Sequence, residues 1–294
     1  MASASAAATP DQLDRLVVAV QASPRYRAVA EPLIRSLGAR ELAKRRGLKE
    51  AVKATKNKLH QVAGAYIEEP RYDAWLADLG AVWSARDDDA RGEAPMLQER
   101  RQAALRRVMA RHASTRERLP ILDQFYAQTL ASVGPIRSVL DIACGLNPLA
   151  LGWAPLADAV EYDAYDVYGD LMAFLDGYFA LEASYGRAGL RGRAEMRDVI
   201  AAPPERHADL ALLLKAIPCL EQVEKTAGER LLRAIRADHL LVSFPVHSLG
   251  GRNKGMIERY EAHFHDLLAQ AGIGAGASVT RFEFATELAF LVSR

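Results

Sequence analysis

The sequence predicts an α/β protein in which an all-helical N-terminal region precedes a doubly wound, mostly parallel β-sheet. Up to residue 134, apolar residues recur every three or four positions, which is the period of amphipathic helices. From Arg137 onward, short apolar runs alternate with helical segments, as in sheets whose strands are connected by helices. With 294 residues and 50% hydrophobic content, the chain is long enough to bury one large core or two ordinary ones.

Six helices are predicted in the N-terminal region, which we assign to one docking domain, residues 11–134. Their predicted ranges are 11–21, 24–37, 39–66, 72–84, 96–112 and 115–132. This half of the chain holds 22 Lys and Arg against 16 Asp and Glu, a net charge of +6, whereas residues 135–294 hold 16 against 21. We therefore expect the helical domain to meet a polyanion.

Seven strands and three helices are predicted for the second domain, residues 135–294. The strands are 138–143, 160–166, 194–199, 208–217, 239–245, 279–284 and 288–292, and the helices are 169–185, 220–235 and 255–271. The last two strands follow each other without a helix, so they should form an antiparallel hairpin at the edge of the sheet. Seven strands that end in this way predict a Rossmann-like class I methyltransferase domain rather than a dehydrogenase.

The composition argues against several other classes of protein. No run of 18 uncharged apolar residues is present, so we predict no transmembrane helix and no membrane partner. Residues 1–10 are rich in Ala and Ser and lack a basic start, so we expect a disordered tail rather than a secretory signal. Two cysteines are too few for a disulfide framework, which makes the cytoplasm the expected compartment. No self-association surface is evident, and we expect a monomer.

The loop after the first strand predicts a cofactor site. Residues 141–148 read Asp-Ile-Ala-Cys-Gly-Leu-Asn-Pro, an apolar strand that runs into a turn at Gly145. Open α/β sheets bind nucleotides at this position. The dinucleotide pattern G-x-G-x-x-G and the Walker lysine loop are both absent, which favours a cofactor without a pyrophosphate, S-adenosyl-L-methionine (SAM).

Two aspartates at strand ends are predicted to hold that cofactor. Asp166 ends the second strand and can accept hydrogen bonds from the ribose hydroxyls. Asp198 ends the third strand and is expected to meet the adenine amino group. The alternative for either residue is that it caps the helix or turn that follows.

A basic helix is the predicted contact with RNA. Lys49, Lys53, Lys56 and His60 recur at helical spacing and form one stripe, while Leu48, Val52 and the apolar residues that follow form a second stripe that can pack on a core. We assign these residues to phosphate contacts: Lys49, Lys53, Lys56, Lys58 and His60. Arg252 and Lys254, in a loop after the fifth strand, are expected beside a flipped-out nucleotide. The alternative for both sets is a solvated surface.

Several blocks of the sequence together resemble the aminoglycoside-resistance 16S rRNA (guanine-N7) methyltransferases, the Arm family. The blocks are residues 56–60, 112–118, 141–148, 212–222 and 242–256. The resemblance extends over nearly the whole chain from about residue 11. It implies methylation of one guanosine in the decoding region of the assembled 30S subunit, which blocks aminoglycosides such as gentamicin and kanamycin.

The resemblance also implies a set of cofactor contacts. The segment that matches His112, Ser114 and Arg118 reaches the methionine end of SAM in that family, with Arg118 on the carboxylate. The remaining cofactor positions are Ala143, Asp166, Asp198, Val199, Leu214 and Gln222. Gly145 in the first loop completes the predicted set.

The chemistry of guanine N7 requires no catalytic base. N7 carries a lone pair and no proton, so alignment with the methyl group is enough, and we predict no general base. Enzymes that methylate amines commonly carry [DN]-P-P-[YF] after the fourth strand, where this chain has Ala216-Ile-Pro-Cys219. Five histidines lack the spacing of a metal site, and we predict no metal. The three tryptophans are expected to pack in the core.

Other functions remain open at this point. The Pro218-Cys219 pair could belong to a cytosine-C5 methyltransferase, in which a thiolate adds to the base. An adenine-N1 rRNA methyltransferase is a further possibility. A third hypothesis is a non-catalytic rRNA-binding factor on a vestigial methyltransferase fold.

Overall fold

A computed structural model describes residues 9–294 of the chain except 46, 65, 67–69, 85–93, 247–254 and 275. Three helices form the first packed unit: α1 (Pro10–Gln21), α2 (Glu31–Lys44) and α3 (Leu48–Leu59), with one π-helical turn over His60–Gly64. Helix α1 starts with a capping box, because the Thr9 hydroxyl accepts from the Gln12 amide and the Gln12 side chain accepts from the Thr9 amide. Buried apolar side chains, among them Leu16, Ile34 and Leu59, give this unit its own core.

Two predicted helices are wrong in their bounds here. The predicted helix 24–37 is a short 3₁₀ turn over Pro24–Tyr26 followed by α2, because Pro32 is accommodated only in the first turn of a helix. The predicted helix 39–66 is interrupted between α2 and α3, where Gly47 adopts an extended backbone at the start of α3.

The next helices pack directly on the sheet. They are α4 (Tyr72–Trp83), α5 (Ala94–Met109), α6 (Ala113–Arg118) and α7 (Leu122–Thr129), and Pro120 lies in a 3₁₀ turn that divides α6 from α7. Trp75, Trp83 and Phe125 share one core with residues of the strands such as Val139 and Leu212, and Trp153 packs against it, which confirms the packing role predicted for the tryptophans. The predicted domain boundary at residue 134 therefore does not coincide with a division between hydrophobic cores.

The seven-stranded sheet has the strand order β3-β2-β1-β4-β5-β7-β6. The strands are β1 (Ile136–Ile142), β2 (Leu156–Asp166), β3 (Leu190–Met196), β4 (His207–Leu214), β5 (Arg236–Pro245), β6 (Ser278–Glu283) and β7 (Glu287–Ser293). Strands β1 to β5 run parallel, and β7 pairs antiparallel with both β5 and β6. The predicted class and its terminal antiparallel hairpin are confirmed. Strand β3 begins and ends earlier than predicted, because the chain already turns at Asp198.

The helices of the second half are α8 (Gly169–Leu181), α9 (Ile217–Val223), α10 (Ala227–Ala234) and α11 (Met256–Gln270). Helices α9 and α10 replace the single helix predicted over 220–235, since Glu224 is extended between them. Within the described ranges, no helix is both long and apolar enough to span a bilayer.

The three-helix unit is joined to the sheet beside the end of β2. The Ala30 amide donates to the Val167 carbonyl (2.8 Å), and the Gly169 amide donates to the Ala28 carbonyl (2.8 Å). These bonds hold the three-helix unit beside the carboxyl end of β2.

Candidate functional site

A cavity of about 320 Å³ opens at the carboxyl ends of β1, β2 and β4. Its volume is in the range of sites that hold small organic ligands. Eight predicted cofactor residues line it: His112, Ser114, Ala143, Asp166, Asp198, Val199, Leu214 and Gln222. Ala143, Asp166, Asp198 and Leu214 come together because they lie at the carboxyl ends of parallel strands, which meet at one edge of the sheet. His112 and Ser114 reach the cavity from the start of α6.

The loop after β1 supports the wall of the cavity. Ala143 and Gly145 both have left-handed backbone angles, with φ of 51° and 53°. A Cβ on Gly145 would lie 2.8 Å from the His112 imidazole, so only glycine allows this close approach. The Gly145 amide donates to Asp166 Oδ2 (2.9 Å), which ties the β1 loop to the end of β2.

The two strand-end aspartates differ in their unused hydrogen-bonding capacity. Asp166 accepts the Gly145 amide on one oxygen and the Val167 amide (2.7 Å) on the other. Burial raises the pKa of Asp166, and these amides oppose the rise. Asp198 Oδ1 accepts from the amides of Ile200 and Ala201, so this residue does cap the following turn. Asp198 nevertheless lines the cavity, and its Oδ2 has no hydrogen-bond partner among the described residues.

His112 is a neutral group in the cavity wall. Its burial, with the nearby charges of Lys215 and Arg118, lowers its pKa to about 3. Its buried Nδ1 has no hydrogen-bond partner among the described residues. The ring stacks on Tyr66, with centroids 6.2 Å apart and an interplanar angle of 25°. The imidazole therefore adds no positive charge to the cavity at neutral pH.

Arg118 does not line the cavity, in contrast to the predicted contact with a cofactor carboxylate. Its guanidinium is fully buried and donates from Nε and Nη2 to the Glu287 carboxylate. Its Nη1 donates to Asn147 Oδ1 (2.8 Å). In this structure the guanidinium donates to acceptors of the protein from Nε, Nη1 and Nη2, and its charge is matched by Glu287.

Lys215 and Glu117 are cavity residues to which the sequence analysis assigns no role. The Lys215 ammonium donates to the Ser114 carbonyl (2.7 Å) and to Glu117 Oε2 (3.0 Å). A lysine at the end of an otherwise apolar strand, Leu212-Leu-Leu-Lys215, is the signal in the sequence that could have identified it.

Cys219 lines the cavity as a protonated thiol. Its Sγ donates to the Tyr66 hydroxyl (3.1 Å), and burial raises its pKa. A nucleophilic cysteine needs the opposite shift, because the thiolate is the reactive form. This environment does not favour the cytosine-C5 mechanism.

The basic helix presents part of its predicted stripe to solvent. Lys49, Lys53 and His60 are exposed, whereas Lys56 and Lys58 are half-buried. Lys56 donates to the Ser23 hydroxyl (2.6 Å). Of the apolar stripe predicted for α3, Leu59 and Thr55 are buried, whereas Leu48 and Val52 are half-buried; Ala51, which was not part of it, is buried as well. Arg252 and Lys254 lie outside the described residues.

The described part of the chain contains no group of three or more His, Cys, Asp or Glu that could hold a metal ion.

A family model and the similar proteins of known function all point to ribosomal RNA methyltransferases. Residues 22–291 match the family described as "Ribosomal RNA methyltransferase (FmrO)". A 16S rRNA (guanine(1405)-N(7))-methyltransferase of Frankia casuarinae is 40% identical over 286 residues, covering 96% of this chain and 94% of the relative. The enzyme of the same name from Micromonospora echinospora is 34% identical over 290 residues, covering 98% of each chain.

Solved structures of rRNA methyltransferases also align with this chain over nearly its whole length. The crystal structure of the 16S rRNA methyltransferase RmtF in complex with S-adenosyl-L-homocysteine has a TM-score of 0.74 and 29% identity, covering 98% of this chain and 100% of that one. An rRNA methylase from Escherichia coli has a TM-score of 0.70 and 27% identity, covering 96% of this chain and 99% of that one.

Proposed function

Because the chain belongs to the FmrO family of ribosomal RNA methyltransferases, we propose that it methylates N7 of a guanine in 16S rRNA, with SAM as the methyl donor. The observation that carries this proposal is the cavity at the sheet edge, where the predicted cofactor residues come together. The names of the relatives supply the atom and the RNA.

The residues of the cavity fit SAM. Its volume of about 320 Å³ suits a ligand of this class. Asp166 lines the cavity as the proposed acceptor for the ribose hydroxyls, and Asp198 Oδ2 remains for the adenine amino group. Ser114 and the neutral ring of His112 line the part of the cavity assigned to the methionine end. A neutral imidazole suits a cationic sulfonium, since a protonated one would repel it.

The protein has to position the two reactants, but the reaction needs no acid or base from a side chain. When bound, SAM supplies an electrophilic methyl group. Guanine N7 attacks with an in-plane lone pair and loses no proton, so no side chain has to act as a base. The cavity residues would accelerate the reaction by holding N7 in line with the methyl group and by excluding water.

We propose that α1 to α3 dock on the rRNA. The unit has its own core and presents the exposed side chains of Lys49, Lys53 and His60. Contacts from these side chains to phosphates would supply affinity and register. Because N7 of an A-form helix lies in a narrow major groove, the target guanine must be flipped out to reach the cavity. Arg252 and Lys254 remain proposed contacts to the flipped nucleotide.

The proposed substrate is the decoding region of the assembled 30S subunit, and the proposed consequence is resistance to gentamicin and kanamycin. The support for both statements is the sequence resemblance to the aminoglycoside-resistance enzymes, together with relatives whose names specify one position of 16S rRNA.

The decisive test uses purified protein, radiolabelled SAM, and either intact 30S subunits or naked 16S rRNA. N7-methylguanosine is mapped by borohydride and aniline cleavage. A single cleavage in the decoding region, with 30S subunits only, is the expected result. Labelled RNA without a cleavage site would overturn the N7 assignment. Methylation of naked 16S rRNA but not of 30S subunits would overturn the proposal that the assembled subunit is the substrate.

The alternatives predict different outcomes of the same test. A cytosine-C5 enzyme would lose its activity in Cys219→Ser, and the protonated Cys219 thiol argues against it. An adenine-N1 enzyme would label the RNA without N7 cleavage. A non-catalytic binding factor would bind subunits without methyl transfer, and the preserved cofactor cavity argues against it.

A further inference from the structure

The end of β4 holds a lysine in a strained backbone conformation. Lys215 has φ of 58°, which costs free energy for any residue other than glycine. Its amide donates to the Ser243 carbonyl (3.0 Å) and hydroxyl (3.1 Å) on the neighbouring strand β5. Residues in such conformations persist where the surrounding structure imposes them, and they cluster at functional sites. The strain points to a task for this side chain in the cavity that it lines.

The ammonium of Lys215 has hydrogen-bonding capacity to spare. A lysine carries three N–H donors. Two of them meet the Ser114 carbonyl and Glu117 Oε2, and the contact to Glu287 Oε2 is longer, at 3.5 Å. The Lys215 side chain is only 5% exposed, so a further acceptor would have to come from a ligand inside the cavity.

Glu117 puts an acceptor beside this donor. Its carboxylate also lines the cavity, and its side chain is 34% exposed. With Lys215 Nζ and Glu117 Oε2 only 3.0 Å apart, the cavity wall presents a cationic donor next to an anionic acceptor. A ligand that fits this pair needs an acceptor next to a donor.

Guanine has that arrangement on its Watson–Crick edge, with the O6 acceptor next to the N1–H donor. Adenine has the reverse, because its N6 amine donates and its N1 accepts. We propose that Lys215 donates to O6 and Glu117 accepts from N1–H of the flipped-out target guanine, which makes this pair the specificity determinant of the enzyme. The inference rests on the proposed function.

The proposal also agrees with the position of the reacting atom. O6 is adjacent to N7, so a bond from Lys215 to O6 would orient the base without occupying the N7 lone pair. A donor-only lysine suits a base that presents a carbonyl oxygen.

The test is a double-mutant cycle, in which the enzyme side chain and the target base are changed separately and together. Subunits are reconstituted from 16S rRNA that carries either guanine or 2-aminopurine at the target position. 2-Aminopurine keeps N7 but lacks both O6 and N1–H. In the wild-type enzyme, this replacement should lower kcat/KM for N7 methylation about 10- to 100-fold. In Lys215→Met, guanine should be methylated more slowly than by the wild type, and replacement by 2-aminopurine should cost less than it does in the wild type, because only the bond from N1–H to Glu117 remains to be lost.

A structural role for Lys215 would give a different pattern. The variant would then lower both rates by the same factor, and the ratio between guanine and 2-aminopurine would stay at the wild-type value, which would overturn the proposal. A wild-type enzyme indifferent to the replacement would overturn it too. Lys225→Met, which removes an exposed ammonium, is the matched control and should keep the wild-type ratio.

Two further arms separate the causes of failure. If Lys215→Met does not fold, as judged by its thermal unfolding, Glu117→Met takes its place in the same cycle, because Glu117 is less buried, methionine offers no oxygen acceptor, and the N1–H partner of Glu117 is also missing from 2-aminopurine. If the wild-type enzyme makes no N7-methylguanosine on subunits with the natural guanine, the proposed function fails, and this inference fails with it. If N7-methylguanosine does form, but the variant has the same ratio of rates on guanine and 2-aminopurine as the wild type, only this inference is overturned.

Discussion

Arg118 of α6 and Glu287 of β7 form an ion pair in which neither side chain has any solvent exposure, with Nη2 and Oε1 2.7 Å apart. The pair joins the segment that lines the cavity to the terminal hairpin of the sheet. Burial alone would raise the pKa of Glu287, but the charges of Arg118 and Lys215 outweigh it and hold that pKa below its usual value. The carboxylate therefore stays ionised and compensates the guanidinium.

Removal of one partner of this pair should destabilise the protein strongly. In Glu287→Gln or Arg118→Met, one buried charge loses its partner, and we expect the free energy of unfolding to fall by about 3–5 kcal/mol. Urea unfolding measures the change. The double variant Arg118→Met/Glu287→Leu, which removes both charges of the pair, should recover much of the loss. Single variants as stable as the wild type would contradict this account.

Loss of the Asp166 carboxylate should abolish or greatly weaken SAM binding. Asp166→Ala removes the proposed ribose acceptors and the tie to the Gly145 amide, and we expect affinity to fall about 10- to 100-fold or more. Calorimetric titration with SAM measures the effect. Asp158→Ala, at an exposed position of β2, is the control and should bind normally. Unchanged affinity in Asp166→Ala would remove the ribose assignment.

The exposed lysines of α3 should contribute to subunit binding through phosphates. Lys53→Gln should weaken binding and lower the slope of log K against log salt by about one. Filter binding at several salt concentrations gives this slope. Lys56→Gln should have a smaller effect, because Lys56 is half-buried and bonded to Ser23. If the slope is the same in Lys53→Gln as in the wild type, α3 is not the docking face.

Cys219→Ser should retain methyl transfer to N7. The thiol is protonated and hydrogen-bonded to Tyr66, and a serine hydroxyl can make the same contact. We expect a rate within about tenfold of the wild type, because only packing changes. Aniline cleavage of the methylated rRNA reports the product. A complete loss of labelling would revive the cytosine-C5 mechanism.

His112 should make stability fall at acid pH. Its pKa is about 3 in the folded protein against 6.5 for the free side chain, so between these values the unfolded chain binds a proton that the folded protein does not. The free energy of unfolding is therefore unaffected by this group above about pH 6.5. Below that pH it falls by about 1.4 kcal/mol for each pH unit, until the folded-state pKa is reached. Between pH 7.5 and 5.0, the wild type should lose about 2 kcal/mol more than His112→Gln in urea unfolding.

The control for this pH effect is a histidine at the surface. His265 is exposed, so His265→Gln should follow the wild-type curve. The same dependence on pH in wild type and His112→Gln would show that His112 is not buried as a neutral group.

The sequence by itself predicted the class of fold, the terminal hairpin and eight of the residues that line the cavity. Apolar periodicity marks strands and helices, and parallel strands end at one edge, so residues such as Asp166 and Asp198 can be placed in one site without coordinates. The predicted helices 39–66 and 115–132 had wrong bounds, because the chain breaks at Gly47 and Pro120. Local rules for glycine and proline could have predicted both breaks.

Only the tertiary structure decided the partners of the buried charges and the grouping of the cores. Arg118 and Glu287 are 169 positions apart, and Lys215 meets Glu117 across 98. Helices α4, α5 and α7 share their core with the sheet. Contacts between elements so distant along the chain leave no periodic signal, because they depend on how the elements pack together. For that reason Arg118, expected on the cofactor, is buried against β7, and Lys215 emerges as a cavity residue.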